Sequence, residues 1–429
     1  MTKKHIVIVG GGAGGLELAT RLGNKLGKKN KATITLVDAN PTHLWKPRLH
    51  EVAAGVLNSN VDELNYAAHG YQHGFKFVLG RLIGLDRKAK KIQIDRYTDG
   101  DLTVLPEREF NYDQLVIAVG SQTNDFNTLG AKQHCIFLDQ RQSAERFRQS
   151  LLNSYWRSNI GDQDSLSIAI IGAGATGVEL AAELNHIAHE LYRYGFRGIS
   201  PDQVTITIVE AGNRVMPALT EKSSGAIHRQ LQKLNIKVAT GELVTEVTAD
   251  SVITKSGQVI PADLKVWSAG VKAPEFLAHL DGLEVNRINQ IVVNEYLQSS
   301  IDSDVFAFGD CAQFIPPGSD SPVPPRAQVA SQQATVLAKS LIQMVNGKPL
   351  VQFIFKDKGS LISLSKHSSV GQIMGNLSGD FTFEGKLARL FYVTLYRLHQ
   401  FAIHGYWKTA LLIIRDVINR RTGPTMKLH

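Results

Sequence analysis

Two glycine-rich segments hold the residue types and spacing best suited to grip a dinucleotide. The first reads HIVIVGGGAGGLELATRL and sets Gly10, Gly12 and Gly15 in a G-x-G-x-x-G pattern; a run TITLVD then ends at Asp38. The second reads SIAIIGAGATGVELAAEL, with Gly172, Gly174 and Gly177, and a run TITIVE ends at Glu210. In this pattern the first glycine permits a tight strand-to-helix turn, the second lets a pyrophosphate approach the backbone, and the third lets helix and strand pack closely. The helix that follows offers N–H groups and a partial positive charge to phosphate. The acid closing the next strand can accept hydrogen bonds from ribose hydroxyls. One such pattern alone is weak, but here each has its strand, its helix and its acid. A single site holds one dinucleotide. Two in one chain predict a fixed and an exchangeable redox carrier, the arrangement of a flavoprotein oxidoreductase.

The second site also carries a preference. A carboxylate at Glu210 would repel the 2′-phosphate of NADPH, and Ala211-Gly212 supplies no cation, so NADH is expected, with Arg214 the one nearby residue that argues otherwise. Cys135 and Cys311 are the only cysteines, in neither a C-x-x-C nor a metal-ligand spacing. That excludes a dithiol partner for the flavin and argues against structural disulfides. Cys311 reads as a small packed residue, and His50, His399 and His404 as structural or surface residues with no ligand spacing; no metal is expected.

These residues need parallel sheets to position them. HIVIV at 5–9 and QLVIAVGS at 114–121 are apolar throughout, as strands buried on both faces are. DQRQSAERFRQSLLNSYWRS reads as a polar helix, broken by Asn159-Ile160-Gly161-Asp162. Strands are then expected at 166–171, 204–210, 236–240 and 264–268, and one within 305–312 returns to the first sheet. Glu210 lies 33 residues beyond Gly177, more than the usual spacing of about 20. A long crossover helix through LNHIAHELYRYGFRG accounts for the excess. The pattern predicts an α/β fold of two Rossmann-like dinucleotide-binding domains, one inserted in the other, plus a C-terminal membrane-associating segment. Residues 1–125 and 270–345 form the first domain, 150–268 the second, and 350–429 the C-terminal region of short strands and then helices.

With 429 residues, 43% of them hydrophobic and 20% charged, the chain is an ordinary globular one. No leader-like apolar run precedes the first strand, so the protein is expected to stay where it is made, on the cytoplasmic side. The net charge of +8 is concentrated at the end: residues 386–429 carry eight Lys/Arg against Asp416 alone. That segment reads LARLFYVTLYRLHQFAIHGYWKTALLIIRDVINRR from Leu387, and its longest uncharged run, Leu398 to Trp407, is too short to span a bilayer. Aromatic and aliphatic residues interleaved with Arg and Lys fit helices lying in the interface of an anionic membrane, with the cations reaching headgroups. A dimer face or domain core is the alternative, and both roles can coexist. Nucleic acid is not an expected partner, because the tail is rich in Leu, Ile and Val. Without a spanning segment, no proton pumping is expected.

The two fingerprints, AVGS at 118–121, SAG at 268–270, FGD at 308–310 and AQVASQQA at 327–334 together resemble the type II NADH:quinone oxidoreductases, over essentially the whole chain. The fingerprints specify only the wider flavoprotein superfamily; AQ-x-A-x-QQ and the tail narrow it. The resemblance implies non-covalent FAD on Gly10, Gly12, Gly15 and Asp38, with Gly120, Gly309 and Asp310 also at the cofactor. It implies NADH as substrate on Gly172, Gly174, Gly177 and Glu210, with Ala269 and Gly270 near the nicotinamide. Ala327, Gln328 and Gln332 match the segment that lines the pocket for a membrane quinone, and Glu179 falls in the family's G-x-G-x-x-G-x-E position nearby, where either it or water supplies protons to the quinol or it only positions ligands. Read as residues alone, Gln328 and Gln332 could simply satisfy backbone groups, and Glu179 could be a first-turn acid. The family often shows HLFQPLLYQVA where this chain has HLWKPRLHEVA, so Lys46 and Arg48 add positive charge expected to favour a reduced, anionic flavin. The family's C-terminal pocket lysine corresponds to Lys386 or Arg389. A homodimer is implied. The alternatives are a sulfide:quinone oxidoreductase, which needs cysteines at the flavin, and a soluble NADH-dependent reductase of a protein electron carrier, which needs no tail.

Overall fold

The computed structural model describes the backbone of residues 3–58, 63–357, 360–364, 368–373, 381–384, 386–422 and 426, and past residue 357 the side chains of 396–418 and 426. In chain order the strands that build the sites are β1 (Lys4–Val9), β2 (Ala32–Asp38), β3 (Lys76–Leu79), β4 (Gln114–Ile117), β5 (Ile136–Phe137), β6 (Leu166–Ile171), β7 (Val204–Glu210), β8 (Lys237–Thr240), β9 (Leu264–Trp267) and β10 (Val305–Ala307). The helices that bear on the sites and the C-terminal region are α1 (Ala13–Leu22), α2 (Leu49–Ala53), α3 (Arg141–Asn159), α4 (Ala175–Arg193), α5 (Ala327–Val345) and α6 (Lys386–Thr422).

The chain divides into two compact units. Met1–Trp45, Glu63–Gln122 and Val271–Lys356 form the first; Lys46–Asp62, Thr123–Gly270 and Asp357–His429 form the second. In the first unit five parallel strands lie in the order β10-β4-β1-β2-β3. Ile6, Val7, Ile8, Leu36, Val37, Val116 and Ile117 are buried, which is why these strands are continuous apolar runs rather than alternating ones. The strand order reverses between β1 and β4. In open α/β sheets that switch point, at the carboxyl ends of the strands, is where ligands bind.

The second unit repeats the device. Its strands run β5-β9-β6-β7-β8, all parallel, and the order reverses between β6 and β9. Ile168, Ile170, Ile206, Ile208, Val266 and Trp267 fill its core. Strands expected at 236–240 and 264–268 are each one residue shorter, and the strand expected within 305–312 is β10, at the edge of the first sheet. Helix α4 has 19 residues against 10 in α1, the longer crossover that the Gly177–Glu210 spacing demands.

After a three-stranded antiparallel sheet (Ser360–Leu364, Ser368–Ile373, Phe381–Glu384) comes α6. This helix is two, because Gly405 at φ 75°, ψ 176° interrupts it. Arg397 before the break binds Asp416 after it at 2.8 Å. Nineteen residues of straight helix would hold them about 28 Å apart, so the chain folds back at the glycine. Beyond it Trp407, Leu411, Ile414 and Ile418, spaced four, three and four, form one exposed apolar stripe. Among the described residues no helix is long and apolar enough to cross a membrane.

Candidate functional site

The first glycine turn is built by close approach. Gly10 has φ +102°, and a Cβ there would lie 2.3 Å from Ala118 O just beyond β4. Its N–H donates to Val37 O at 2.8 Å. A Cβ on Gly15 would fall 1.8 Å from Gly10 O, whereas one on Gly12 would meet nothing within 4 Å. Open space thus lies beside the start of α1, which no side chain caps, and its leading N–H groups can serve an anion. Asp38 clamps the turn: one oxygen accepts from Gly11 N at 2.6 Å, the other from Asn40 N at 2.8 Å. Burial nonetheless pushes its pKa above the usual carboxylate range.

The second turn repeats these contacts. Gly172 has φ +105° and lies against Ala269 past β9; its N–H donates to Val209 O at 2.8 Å. A Cβ on Gly177 would fall 2.1 Å from Gly172 O, and one on Gly174 would meet nothing. Glu210 accepts from Ala173 N at 2.7 Å and from Gly212 N at 2.8 Å. Each carboxylate therefore holds its glycine turn and keeps lone pairs for ribose hydroxyls. Arg214 is turned into its own loop, on Glu221 and the Pro217 and Leu219 carbonyls. Trp267 Nε1 donates to Asn124 O at 2.9 Å and Ala269 O at 3.2 Å, and Gly270 at φ +65° leaves room for the Phe126 ring.

Within the first unit the expected partners of the cofactor come together in part. Ser121 Oγ, next to Gly120, donates to Asp310 Oδ2 at 2.8 Å. Gly309, at φ +75°, donates its N–H to Gln333 Oε1 at 2.8 Å. Gln333 was not among the expected residues, yet it is buried, while Gln332 pairs with both backbone groups of Lys356, at 2.9 and 3.1 Å. Helical phase carries the signal that separates them: Val329, Leu337 and Leu341 are buried on α5, and Gln333 falls on their face. Ala327 opens α5 and Gln328 is half-buried in its first turn.

The added charges are used differently from one another. Lys46 is exposed, whereas Arg48 grips Glu51 with both ends of its guanidinium and lies 4.6 Å over the Tyr396 ring. The side chains of Lys386 and Arg389 lie outside the described residues. Glu179 of α4 is buried, with Oε2 3.4 Å from His50 Nδ1 of α2. The same position of the first fingerprint is Glu17, which serves the fold: it binds Arg21, Ser331 and Thr335 and ties α1 to α5. Both cysteines are buried, and burial pushes each thiol up to about 12.

The family model for pyridine nucleotide-disulphide oxidoreductases matches residues 4–334. The chain is 45% identical to the type II NADH:quinone oxidoreductase of Haemophilus influenzae, over 99% of this chain and all of that one. It superposes on NDH2 from Plasmodium falciparum in complex with NADH with a TM-score of 0.83 at 20% identity, covering 99% of this chain and all of the other. The sulfide:quinone oxidoreductase of Aquifex aeolicus gives 0.73 at 19% identity, over 98% and 95% of the two chains, so fold alone does not separate the two chemistries. Whole-length identity does, and the chain belongs to the pyridine nucleotide-disulphide oxidoreductases and, within them, to the type II NADH:quinone oxidoreductase family.

Proposed function

We propose that this protein is an FAD-dependent enzyme that passes electrons from NADH to a quinone. The observation that carries the reading is the duplicated glycine turn, each copy with open space at an uncapped helix start and a carboxylate holding it. That cradle fits a pyrophosphate and a ribose. FAD, when bound, supplies a two-electron centre that hydride donors reduce and quinones reoxidise. The first unit binds it without a covalent link: the N–H groups after Gly12 take the pyrophosphate, Asp38 the ribose, and the Ser121–Asp310 pair fixes the turn around Gly120 and Gly309. The second unit binds NADH through Gly172, Gly174, Gly177 and Glu210, with Ala269 and Gly270 placing the nicotinamide. Arg214, spent on its own loop, leaves nothing to neutralise a 2′-phosphate, which favours NADH over NADPH.

Ala327 and Gln328 contact the quinone in this reading, Gln332 positions the Lys356 segment it grips, and Glu179 delivers a proton. Lys46 and Arg48 supply positive charge for the reduced cofactor, Arg48 while paired with Glu51. The quinone is lipid-borne, and the exposed stripe of α6 with Lys408 beside it supports a peripheral attachment to the cytoplasmic face of an anionic membrane. The enzyme is a homodimer there and pumps no protons. Buried cysteines with raised pKa values speak against the sulfide reading.

Anaerobic stopped-flow tests the whole reading. NADH should bleach the flavin and a short-chain quinone should restore it. Bleaching without recovery removes the quinone; no bleaching removes the NADH site.

A further inference from the structure

The balance NADH + H⁺ + quinone → NAD⁺ + quinol draws one proton from water in every turnover. Two buried titratable groups stand within reach of one another in the second unit: the side chains of His50 and Glu179 are 2% and 7% exposed, with Nδ1 and Oε2 3.4 Å apart. They come from elements 129 positions apart in sequence, the short helix α2 and the first turns of α4. We infer that His50 and Glu179 act as one proton-holding dyad, in which His50 is the positioning partner that keeps the Glu179 carboxyl loaded for the quinone.

A lone buried carboxylate is costly, and a lone buried imidazolium is too. Together they carry one proton at no net charge, either as imidazole with carboxylic acid or as imidazolium with carboxylate. Delivering that proton breaks the acid O–H and forms the quinol O–H; the dyad is left with one negative charge, and a proton from water restores it. No further oxidant or reductant enters. Burial holds the His50 pKa below its ordinary value, so of the two one-proton forms the one with a neutral imidazole is favoured. Charged groups reach this neighbourhood from three elements. Arg48 and Glu51, on the same segment as His50, neutralise each other. Glu183 lies one turn beyond Glu179 on α4, buried on the same face. From α3, Arg148 reaches Gly55 near the end of α2. The equivalent of Glu179 in the duplicated fold, Glu17, binds Arg21, Ser331 and Thr335 among the described residues. The dyad is therefore particular to the second unit and not a requirement of the fold.

The inference rests on quinone being the acceptor and Glu179 its proton donor. Stopped-flow on the FAD-loaded enzyme separates the steps: flavin bleaching by NADH, then recovery with a short-chain quinone from pH 5.5 to 9.5. His50→Gln, which keeps a polar group that cannot titrate, should slow recovery about tenfold at pH 7 and move the alkaline limb of its pH profile by at least one unit. His50→Phe should do the same, and bleaching should stay within twofold in both. Glu179→Gln should remove the limb, and the His50→Gln/Glu179→Gln double variant should be no slower than the slower single one, as members of one unit behave. A readout independent of turnover is the ¹⁵N-histidine spectrum, where the His50 resonance, assigned by its loss in the variant, should shift in Glu179→Gln. An unchanged pH profile in His50→Gln, multiplying effects in the double variant, or an unmoved His50 resonance overturns the dyad. Wild-type flavin that never recovers with quinone overturns the functional reading instead.

Discussion

Gly15 and Gly177 occupy the same place in the two turns, and neither tolerates a side chain, since a Cβ would sit 1.8 and 2.1 Å from the carbonyl of the first glycine. Replacing either with Ala must shift a helix from its strand, a cost of about 1–3 kcal/mol for a forced overpacking. The two variants should nonetheless fail differently. Gly15→Ala should purify with little flavin, whereas Gly177→Ala should keep its visible absorbance and lose bleaching by NADH; flavin stoichiometry and stopped-flow check both. Gln333→Leu belongs with Gly15→Ala, because it leaves the Gly309 N–H without its buried acceptor at a cost of about 1–3 kcal/mol. FAD affinity, measured on the apoprotein, should fall about tenfold or more. Asp38 gives a pH signature. Its pKa is raised in the folded chain, so its favourable contribution is complete below the ordinary carboxylate pKa and lost as pH rises through the raised value. The melting-temperature penalty of Asp38→Asn in apoprotein should thus be smaller at pH 7 than at pH 5; a penalty growing with pH would contradict burial as the dominant cause. The glycines and their acids were legible in sequence because backbone geometry admits so few alternatives there. Gln333 was legible only in the phase of α5. The meeting of His50 with Glu179 was not legible, because a tertiary contact between distant elements leaves no local mark.

At the scale of elements, the hydrophobic runs identify the parallel strands because strands covered on both faces need apolar residues at every position. The C-terminal region was harder. Its composition pointed to interfacial helices, but the break at Gly405 depends on one glycine in a left-handed-side conformation and on the Arg397–Asp416 pair closing the fold-back. Gly405→Ala puts a Cβ in a positive-φ, extended-ψ conformation essentially reserved for glycine, at about 1–3 kcal/mol. The exposed stripe is the part that meets lipid in our reading. Trp407→Glu with Ile414→Glu should release the protein from anionic vesicles in a flotation assay while NADH still bleaches the flavin. Retention on vesicles would move the attachment elsewhere.

For the whole molecule, charge and topology are distributed unequally. The two units share the order of four of their five parallel strands, but most of the net charge of +8 sits in residues 386–429. Membrane binding should therefore weaken as salt rises from 0.05 to 0.5 M, since the screening length falls from above to well below about 10 Å. Hydride transfer from NADH, which relies on buried turns, should change far less over the same range. The sequence located both glycine turns and the strands that carry them. It said less about which residues each unit gathers: Arg48 looked like charge available to a cofactor, yet Glu51, three positions on, was already placed to take it.

The state of the two thiols has a practical reach beyond electron transfer. Cys135 lies in an apolar core with Val244, Val252 and Trp267, and Cys311 is wholly enclosed. With both pushed up to about 12, almost no thiolate exists at neutral pH to meet a maleimide or a peroxide. The native chain is in effect a blank background for sulfur chemistry. One cysteine introduced at an exposed position, such as Tyr71, would be a unique handle. A dye or spin label placed there could report on the protein at a bilayer without first stripping out its own sulfur.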